Sequence, residues 1–371
     1  MAADGKLNLA LIGAGGFGVF CMETYSRMDA LRPTAVADMH EPAAKAAGER
    51  FGIPHFSDAA EMIARPDVDI VHISTPPSSH HALAMQALDA GKHVLCEKPL
   101  ALTPKQGEQI LAAAGKAGRI CPVNFVLRYN QVSDAVKRVI DSGVLGKPLG
   151  ATLTNCAGDS VLGPDHWFWD KSLSGGIFVE HGVHFFDLYS YWLGGRAEVL
   201  FAHAETREGT TQEDRVMCTF RHGPTVARHY HGFDQVRAMD RTDHRIVCEL
   251  GDICVDGWIP LTLNVDAVVD RAGEKALAAC CPGAELRTVA DFGDREKGTP
   301  GRGVPRDITR RVTLTWTPEP DKGAVYRDSV RALMADQVAF IRDASHRRRV
   351  TEDNGLAALR TACEAAQAAR Q

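Results

Sequence analysis

The sequence has no apolar run near the roughly 18 residues of a membrane helix, which argues against a membrane-spanning chain. Its ten cysteines include no Cys-x-x-Cys spacing, which removes the commonest zinc and redox-motif readings. The balance of 42 basic against 47 acidic side chains leaves a formal charge of −5 with no basic stripe, so neither nucleic acid nor an anionic membrane is expected as a partner. There is no internal repeat and no low-complexity tail. The opening residues, MAADGKLNLALIG, run almost directly into a strand-like segment without a signal-peptide layout. The expectation is a cytoplasmic protein whose cysteines are free, buried thiols.

What is present is ordinary globular composition, 45% hydrophobic and 24% charged, over 371 residues, a length that suggests two domains. The first third alternates strand and helix. LNLALIG (7–13) is a strand, followed by a helix from about Phe17 to Met28. TAVADM (34–39), DIVHIST (69–75), HVLCEKP (93–99) and RICPVNF (119–125) read as further strands. Helices are expected from Glu41, over HHALAMQALDAG and over PKQGEQILAAAGKAG. Short apolar strands separated by amphipathic helices imply a parallel sheet covered on both faces.

The first turn of this array reads Gly13-Ala14-Gly15-Gly16-Phe17-Gly18, the pattern G-x-G-x-x-G. The first glycine permits the tight turn, the second lets a pyrophosphate approach the backbone, and the third lets helix lie close to strand. The helix N-terminus offers free N–H groups and partial positive charge to phosphates. Asp38 closes the second strand 20 residues after Gly18. A carboxylate there accepts ribose hydroxyls and repels a 2′-phosphate. Met39 and His40 follow, with no Arg or Lys to clasp that phosphate, so NAD is favoured over NADP.

Beyond Phe125 the pattern changes. A helix is expected at 130–142, then a turn over SGVLGKPLG (142–150). Successive strands follow: AEVLFAHAET, DRVMCTFRH, PTVARHYHGF and RIVCELGDICVDG. Their alternation suits an open antiparallel sheet with one covered face. Residues 292–308 read as a long mobile loop, and helices close the chain at about 325–345 and 352–369. The segment GGIFVEHGVHFFDLYSYWLGG (175–195) is apolar yet carries Glu180, His181, His184 and Asp187. On a regular helix Glu180, His184, Asp187 and Tyr191 share one face, and such a buried polar stripe needs partners.

STPPSSHHALAMQALDAGKHVLCEKPLA (74–101), with its Thr75-Pro76-Pro77 turn, His80 and Glu97-Lys98-Pro99, resembles the Gfo/Idh/MocA oxidoreductases. The glycines of the first turn and the later Gly-Gly…His…Asp segment match as well. The resemblance implies an α/β chain with an N-terminal Rossmann domain (1–125) and a C-terminal α/β domain (126–371) built on a large, mostly antiparallel open-faced sheet. It implies a homodimer or homotetramer through that sheet. It implies NAD bound by Gly13, Gly15, Gly16, Phe17, Gly18, Asp38, Ser74, Thr75, Pro76, His80, Glu97, Lys98 and Asn124. Lys98, His184 and Glu180 become the catalytic group, with the stripe lining a substrate pocket between the domains. His184 is the expected acid/base, since an imidazole titrates near 6.5, and Lys98 would stabilise a developing alkoxide.

A sugar, polyol, cyclitol or glycoside is the implied substrate, contacted by Lys98, Arg128, Trp167, Glu180, His181 and His184. Two departures stand out. Glu180 replaces a common aspartate, and Trp167-Phe168-Trp169 stands where many relatives have Trp-Arg, which suggests a more apolar or aromatic-bearing ligand. The alternatives are a glycosidase that oxidises its sugar transiently on retained NAD and a dinucleotide sensor without chemistry. Such sensors tend to lose the lysine or the histidine, and both are kept here. A metal at His181, His184 and Glu180, or at His229 and His231, is not expected, because neither set offers a zinc site's three or four well-spaced ligands. The RHYHGF histidines are expected on a sheet face or at a subunit contact.

Overall fold

The computed structural model describes residues 5–159 and 162–370. The chain begins with β1 (Leu7–Ile12), α1 (Gly16–Tyr25), β2 (Leu31–Ala37), α2 (Glu41–Phe51), β3 (His55–Phe56) and α3 (Ala59–Ile63). It continues through β4 (Ile70–Ile73), α4 (His80–Asp89), β5 (His93–Cys96) and α5 (Pro104–Ala117). After these come α6 (Gln131–Ser142), β6 (Pro148–Gly158), α7 (Lys171–Ser174) and α8 (Val183–Leu193). Three strands follow, β7 (Glu198–Thr206), β8 (Glu213–His222) and β9 (Thr225–Gln235), then β10 (Arg241–Cys248), β11 (Gly251–Asp256) and β12 (Thr262–Val269). The rest is α9 (Arg271–Cys280), β13 (Glu285–Asp291), β14 (Lys297–Gly301), β15 (Val304–Asp307), β16 (Arg310–Trp316), α10 (Lys322–Arg342) and α11 (Glu352–Ala368).

The chain divides into two compact units: Met1–Val126 with Pro164–Asp187 and Arg327–Cys363, and Leu127–Gly163 with Leu188–Tyr326 and Glu364–Gln371. The division after Val126 lies one residue from the boundary read at Phe125. The C-terminal part is not one continuous domain, because residues 164–187 and most of the closing helices belong with the first unit. The reason is packing. Gly107 of α5 lies under Leu356 and Leu359 of α11, and a Cβ there would meet Leu356 at 3.0 Å.

The first unit carries a parallel sheet in the order β3-β2-β1-β4-β5. β1 and β4 are buried at every residue, as strands covered on both faces must be. Chain order reverses between β1 and β4, and ligands of such sheets bind beyond the carboxyl ends of the strands at that point. α5 starts with a Thr103/Gln106 capping box and Pro104, and ends on left-handed Gly118, so its limits follow from local sequence. The expected strand at 119–125 is not one. It runs beside β5 with bonds Val94 N to Ile120 O and Cys96 N to Pro122 O, but only Val123 forms a bridge, and Pro122 has no N–H to offer the ladder.

The second unit holds a nine-stranded sheet in the order β13-β16-β12-β11-β10-β6-β9-β8-β7. All of its pairs are antiparallel except β6 with β9. Three readings are corrected here. The 142–150 turn ends early, because β6 starts at Pro148 and becomes an interior strand. RIVCELGDICVDG is two strands, since Glu249 and Leu250 turn the chain between β10 and β11. Residues 292–308 contain the β14–β15 hairpin, whose turn places Arg302 at φ 52° and Gly303 at φ 75°, the left-handed pair a two-residue hairpin turn demands. β3, α3, β12, α9, β13 and β16 were not anticipated.

His229 and His231 of β9 and His244 of β10 are at most 3% exposed. They lie on the covered face, with the Tyr189 ring 4.4 Å from His229 and Phe220 5.2 Å from it. That resolves the RHYHGF segment as the lining of a sheet face. Burial holds His229 well below the ordinary 6.5, His244 at about 3, and the buried His222 at about 4. All ten cysteines are free thiols. No helix among the described residues is long and apolar enough to cross a membrane.

The histidines set an acid limit. Their native pKa lies below the unfolded value, so between the two the unfolded chain holds more protons and stability falls as pH falls. At pH 5 each such histidine costs about 2 kcal/mol relative to neutral pH. Urea unfolding followed by circular dichroism is expected to show stability dropping steadily from pH 6.5 towards 4. His244→Gln is expected to shallow that slope, and an equally steep variant would count against this account.

Candidate functional site

The site grows from the turn between β1 and α1. Gly13 sits at φ 96°, and a Cβ there would overlap the Ser74 carbonyl at the end of β4. Gly18 lies against Gly13 O so tightly that any side chain would collide with that oxygen. Gly15 and Gly16 are exposed, and a Cβ on either would meet nothing within 4 Å. Two glycines thus close the turn and two leave open space above it. Gly15 caps α1 without a side-chain hydrogen bond, and the first turn carries no acidic residue. This helix N-terminus suits a pyrophosphate, and the four glycines have the placement the motif predicts.

Asp38 stands beside this turn. Its carboxylate accepts from Ala14 N at 2.7 Å and from His40 N at 2.8 Å. These two bonds fix the acid beside the glycine turn. Phe17, Ser74 and Thr75 are part-exposed and Pro76 exposed at the same edge of the sheet.

Lys98 follows β5. The backbone around it is held by His80, whose Nδ1 lies 2.7 Å from Pro99 O and whose Nε2 lies 2.8 Å from Thr75 O. His80 is fully buried and both of its nitrogens face backbone carbonyls. It acts as a strut between two turns. Glu97 precedes Lys98. Its carboxylate turns inward to Asn124 and His72, leaving Lys98 to face the site.

Lys98 meets the 175–195 segment. Gly175 and Gly176 both have φ 86°, and a Cβ on Gly175 would run into Val179. The chain then makes a π turn over Phe178–Gly182 before α8 begins at Val183. The regular helix expected from Glu180 is therefore wider at its start, a feature frequent at functional sites. Lys98 Nζ donates to Glu180 O at 2.9 Å and pairs with the Glu180 carboxylate. Glu180 is 8% exposed and His184 6%.

His184 sits in the field of this lysine. Burial first, then the Lys98 charge and His181, hold its pKa well below 6.5. Burial and Lys98 hold His181 at about 3. The two rings stand 6.4 Å apart at 74°. Near neutral pH both imidazoles are uncharged, so each ring has one nitrogen with a lone pair to offer.

Other expected residues have different surroundings. Arg128 is buried with its guanidinium 5.2 Å from the centre of the Tyr191 ring, and the Tyr191 hydroxyl donates to Asp134. Trp167 is half-buried in a short turn whose N-terminus is capped by His166, while Phe168 and Trp169 face inward. Asp187 is buried. Sequence reading passed over His72 and Cys21. The available signal was a histidine inside the apolar run DIVHIST.

Among the described residues one trio, Cys21, His72 and Glu97, brings metal-ligand atoms within 4.8 Å of one another. Burial and the Glu97 charge push the Cys21 thiol up, and a Glu97 oxygen already has two hydrogen-bond partners. His72 and Glu97 are hydrogen-bonded to each other, and Cys21 lies beside them as a protonated thiol.

Comparison with known proteins agrees with this fold. The oxidoreductase family description with an NAD-binding Rossmann fold (Gfo/Idh/MocA) matches residues 7–125, and the Gfo/Idh/MocA C-terminal domain matches residues 133–254. A myo-inositol 2-dehydrogenase of Thermotoga maritima is 28% identical over 197 residues, 53% of this chain and 58% of that protein. A D-glucoside 3-dehydrogenase of Escherichia coli is 31% identical over 211 residues, 55% of this chain and 59% of that protein. The chain spans somewhat over half the length of the curated relatives it matches. A levoglucosan dehydrogenase solved with NADH and levoglucosan shares the fold at a TM-score of 0.78 and 22% identity, covering 98% of this chain and 97% of that one.

The glycine assignments yield paired expectations. Gly18→Ala should lower the melting temperature and weaken NADH binding about tenfold or more, since helix and strand must part. Gly115→Ala, where a Cβ on α5 meets nothing within 4 Å, should stabilise by about 0.5–1 kcal/mol through helix propensity. Thermal melts and NADH fluorescence titrations check both.

Proposed function

Since the chain belongs to the Gfo/Idh/MocA family of NAD-binding oxidoreductases, we propose that it is an NAD-dependent dehydrogenase of a secondary alcohol on a sugar, polyol, cyclitol or glycoside. The observation that carries this is the meeting of Lys98, Glu180 and a neutral His184 within one unit. NAD, when bound, supplies the hydride acceptor. The glycine turn and the α1 N-terminus would hold its pyrophosphate, and Asp38 its adenosine ribose. With Asp38 fixed by two backbone bonds and neither Arg nor Lys in the two residues after it, NAD is favoured over NADP.

The protein's own task is the proton. His184 takes it from the substrate hydroxyl, and Lys98 stabilises the negative charge that develops on oxygen. Glu180 holds the ammonium of Lys98 in place and lowers the cost of a poorly hydrated charge. His181 and the half-buried Trp167 are candidate substrate contacts. Protonating His184 would remove the base, so oxidation is lost as pH falls through its pKa. Because that pKa is depressed, the acid limb of kcat/KM belongs below 6.5.

Homo-oligomerisation through the open face of the second unit's sheet is part of this reading. Leu200, Phe201 and Met217 are exposed at 41%, 56% and 39% on β7 and β8, an apolar surface that association would cover. With ten free thiols, a reducing, cytoplasmic setting fits.

Absorbance at 340 nm with NAD and pooled sugars, cyclitols, sugar acids and glycosides tests the activity. The wild type should reduce NAD, and His184→Ala and Lys98→Met should each lose about a hundredfold or more. Full activity in His184→Ala would refute the role given to that histidine. Phe201→Glu should shift the mass seen by light scattering towards monomer.

A further inference from the structure

Behind Lys98 lies a buried polar row that the proton chemistry does not use. β4 and β5 pair with His72 opposite Leu95 and Ile73 opposite Cys96. Glu97, two residues beyond Leu95, turns to the His72 side of the sheet. One oxygen of its carboxylate, Oε1, accepts from Asn124 Nδ2 at 2.6 Å and lies 3.1 Å from His72 Nε2. His72 and Asn124 are 1% exposed and Glu97 7%. Cys21 and Tyr25 of α1, both fully buried, close the row from the helix side, with the Tyr25 and His72 rings 5.6 Å apart.

The proton positions in this row follow from its partners. Asn124 Nδ2 can only donate, so Glu97 Oε1 is an acceptor. His72 Nδ1 is buried and has no partner in the protein. A proton there would be an orphaned donor costing about 1–3 kcal/mol. An N–H on Nε2, directed at the Glu97 carboxylate, leaves no such orphan. The bond from Nδ2 to Glu97 also fixes which way the Asn124 amide faces. Its other end, Oδ1, is buried without a partner, and a buried orphan acceptor requires an explanation.

We propose that His72 is a positioning residue: acting through Glu97, it holds the Asn124 amide so that its carbonyl oxygen, and not its NH2, meets a hydrogen-bond donor on the bound dinucleotide. The inference rests on the NAD-binding reading and is independent of the substrate. Glu97 is the link. While ionised it anchors the NH2 of Asn124. The His72 donor holds that carboxylate in place. Without the donor the carboxylate and the amide can turn together, and dinucleotide binding weakens.

The test is NADH fluorescence titration of the full chain, with thermal melts alongside. His72→Leu is expected to bind NADH about tenfold more weakly. His72→Gln carries an amide N–H near the position of Nε2 and should recover affinity to within about threefold. A merely structural role would lower the melting temperature of both variants and leave the NADH affinity of each unchanged. The proposal fails if a folded His72→Leu keeps the wild-type affinity, or if His72→Gln is as weak as His72→Leu. Should His72→Leu not fold, Glu97→Leu decides, since it must weaken NADH binding about tenfold and an unchanged affinity overturns the relay. A wild type that binds NADH yet turns over no alcohol would defeat the substrate reading and leave the relay standing. A wild type that binds no NADH would defeat both.

Discussion

The pairing of Lys98 with Glu180 is the contact on which the proposed chemistry depends. An ammonium on a largely buried turn needs a partner, and losing either member would leave the other charge poorly solvated. The pair joins residues 82 positions apart, so it ties the end of β5 to the π turn before α8. Its positive member then acts on the histidines. The Lys98 charge adds to burial in keeping His181 and His184 unprotonated. One ion pair thus holds two loops of the first unit together and adds to the burial that keeps the neighbouring imidazoles neutral.

Around that pair, backbone groups do much of the holding. His80 spends both nitrogens near the carbonyls of Thr75 and Pro99. Asp38 is aimed by the N–H groups of Ala14 and His40. Glu97 is drawn away from the surface by Asn124 and His72. In each case a residue suggested by its position as a ligand contact is partly or wholly used to fix a turn. The turns in question lie beyond the carboxyl ends of β1, β4 and β5, where a parallel sheet leaves its loops free to be shaped.

The second unit solves a different problem. Its sheet buries three histidines on one face beneath Tyr189 and Trp192 and leaves apolar side chains of β7 and β8 on the other. The first arrangement works only while the imidazoles stay neutral. The second is an unpaid surface that association of copies would remove from water.

The sequence by itself determined the alternating array of the first unit, the glycine turn, the acid closing β2, the Glu97-Lys98-Pro99 signature and the closing helices. These are local signals: a turn needs glycine within a few residues, and a cap or an apolar period is read over one helix. Tertiary structure decided the rest. It replaced the start of a regular helix by a π turn, because Lys98 and the Gly175-Gly176 reversal act on Glu180 from outside its own helical period. It split RIVCELGDICVDG at Glu249 and Leu250, made β6 an interior strand and folded 292–308 into a hairpin, since strand pairing is settled by partners distant in sequence. It also turned Glu97 and His80 inward. Nothing in the composition of a short segment states which neighbour will satisfy a buried carboxylate, and only the assembled sheet brings His72 and Asn124 to it.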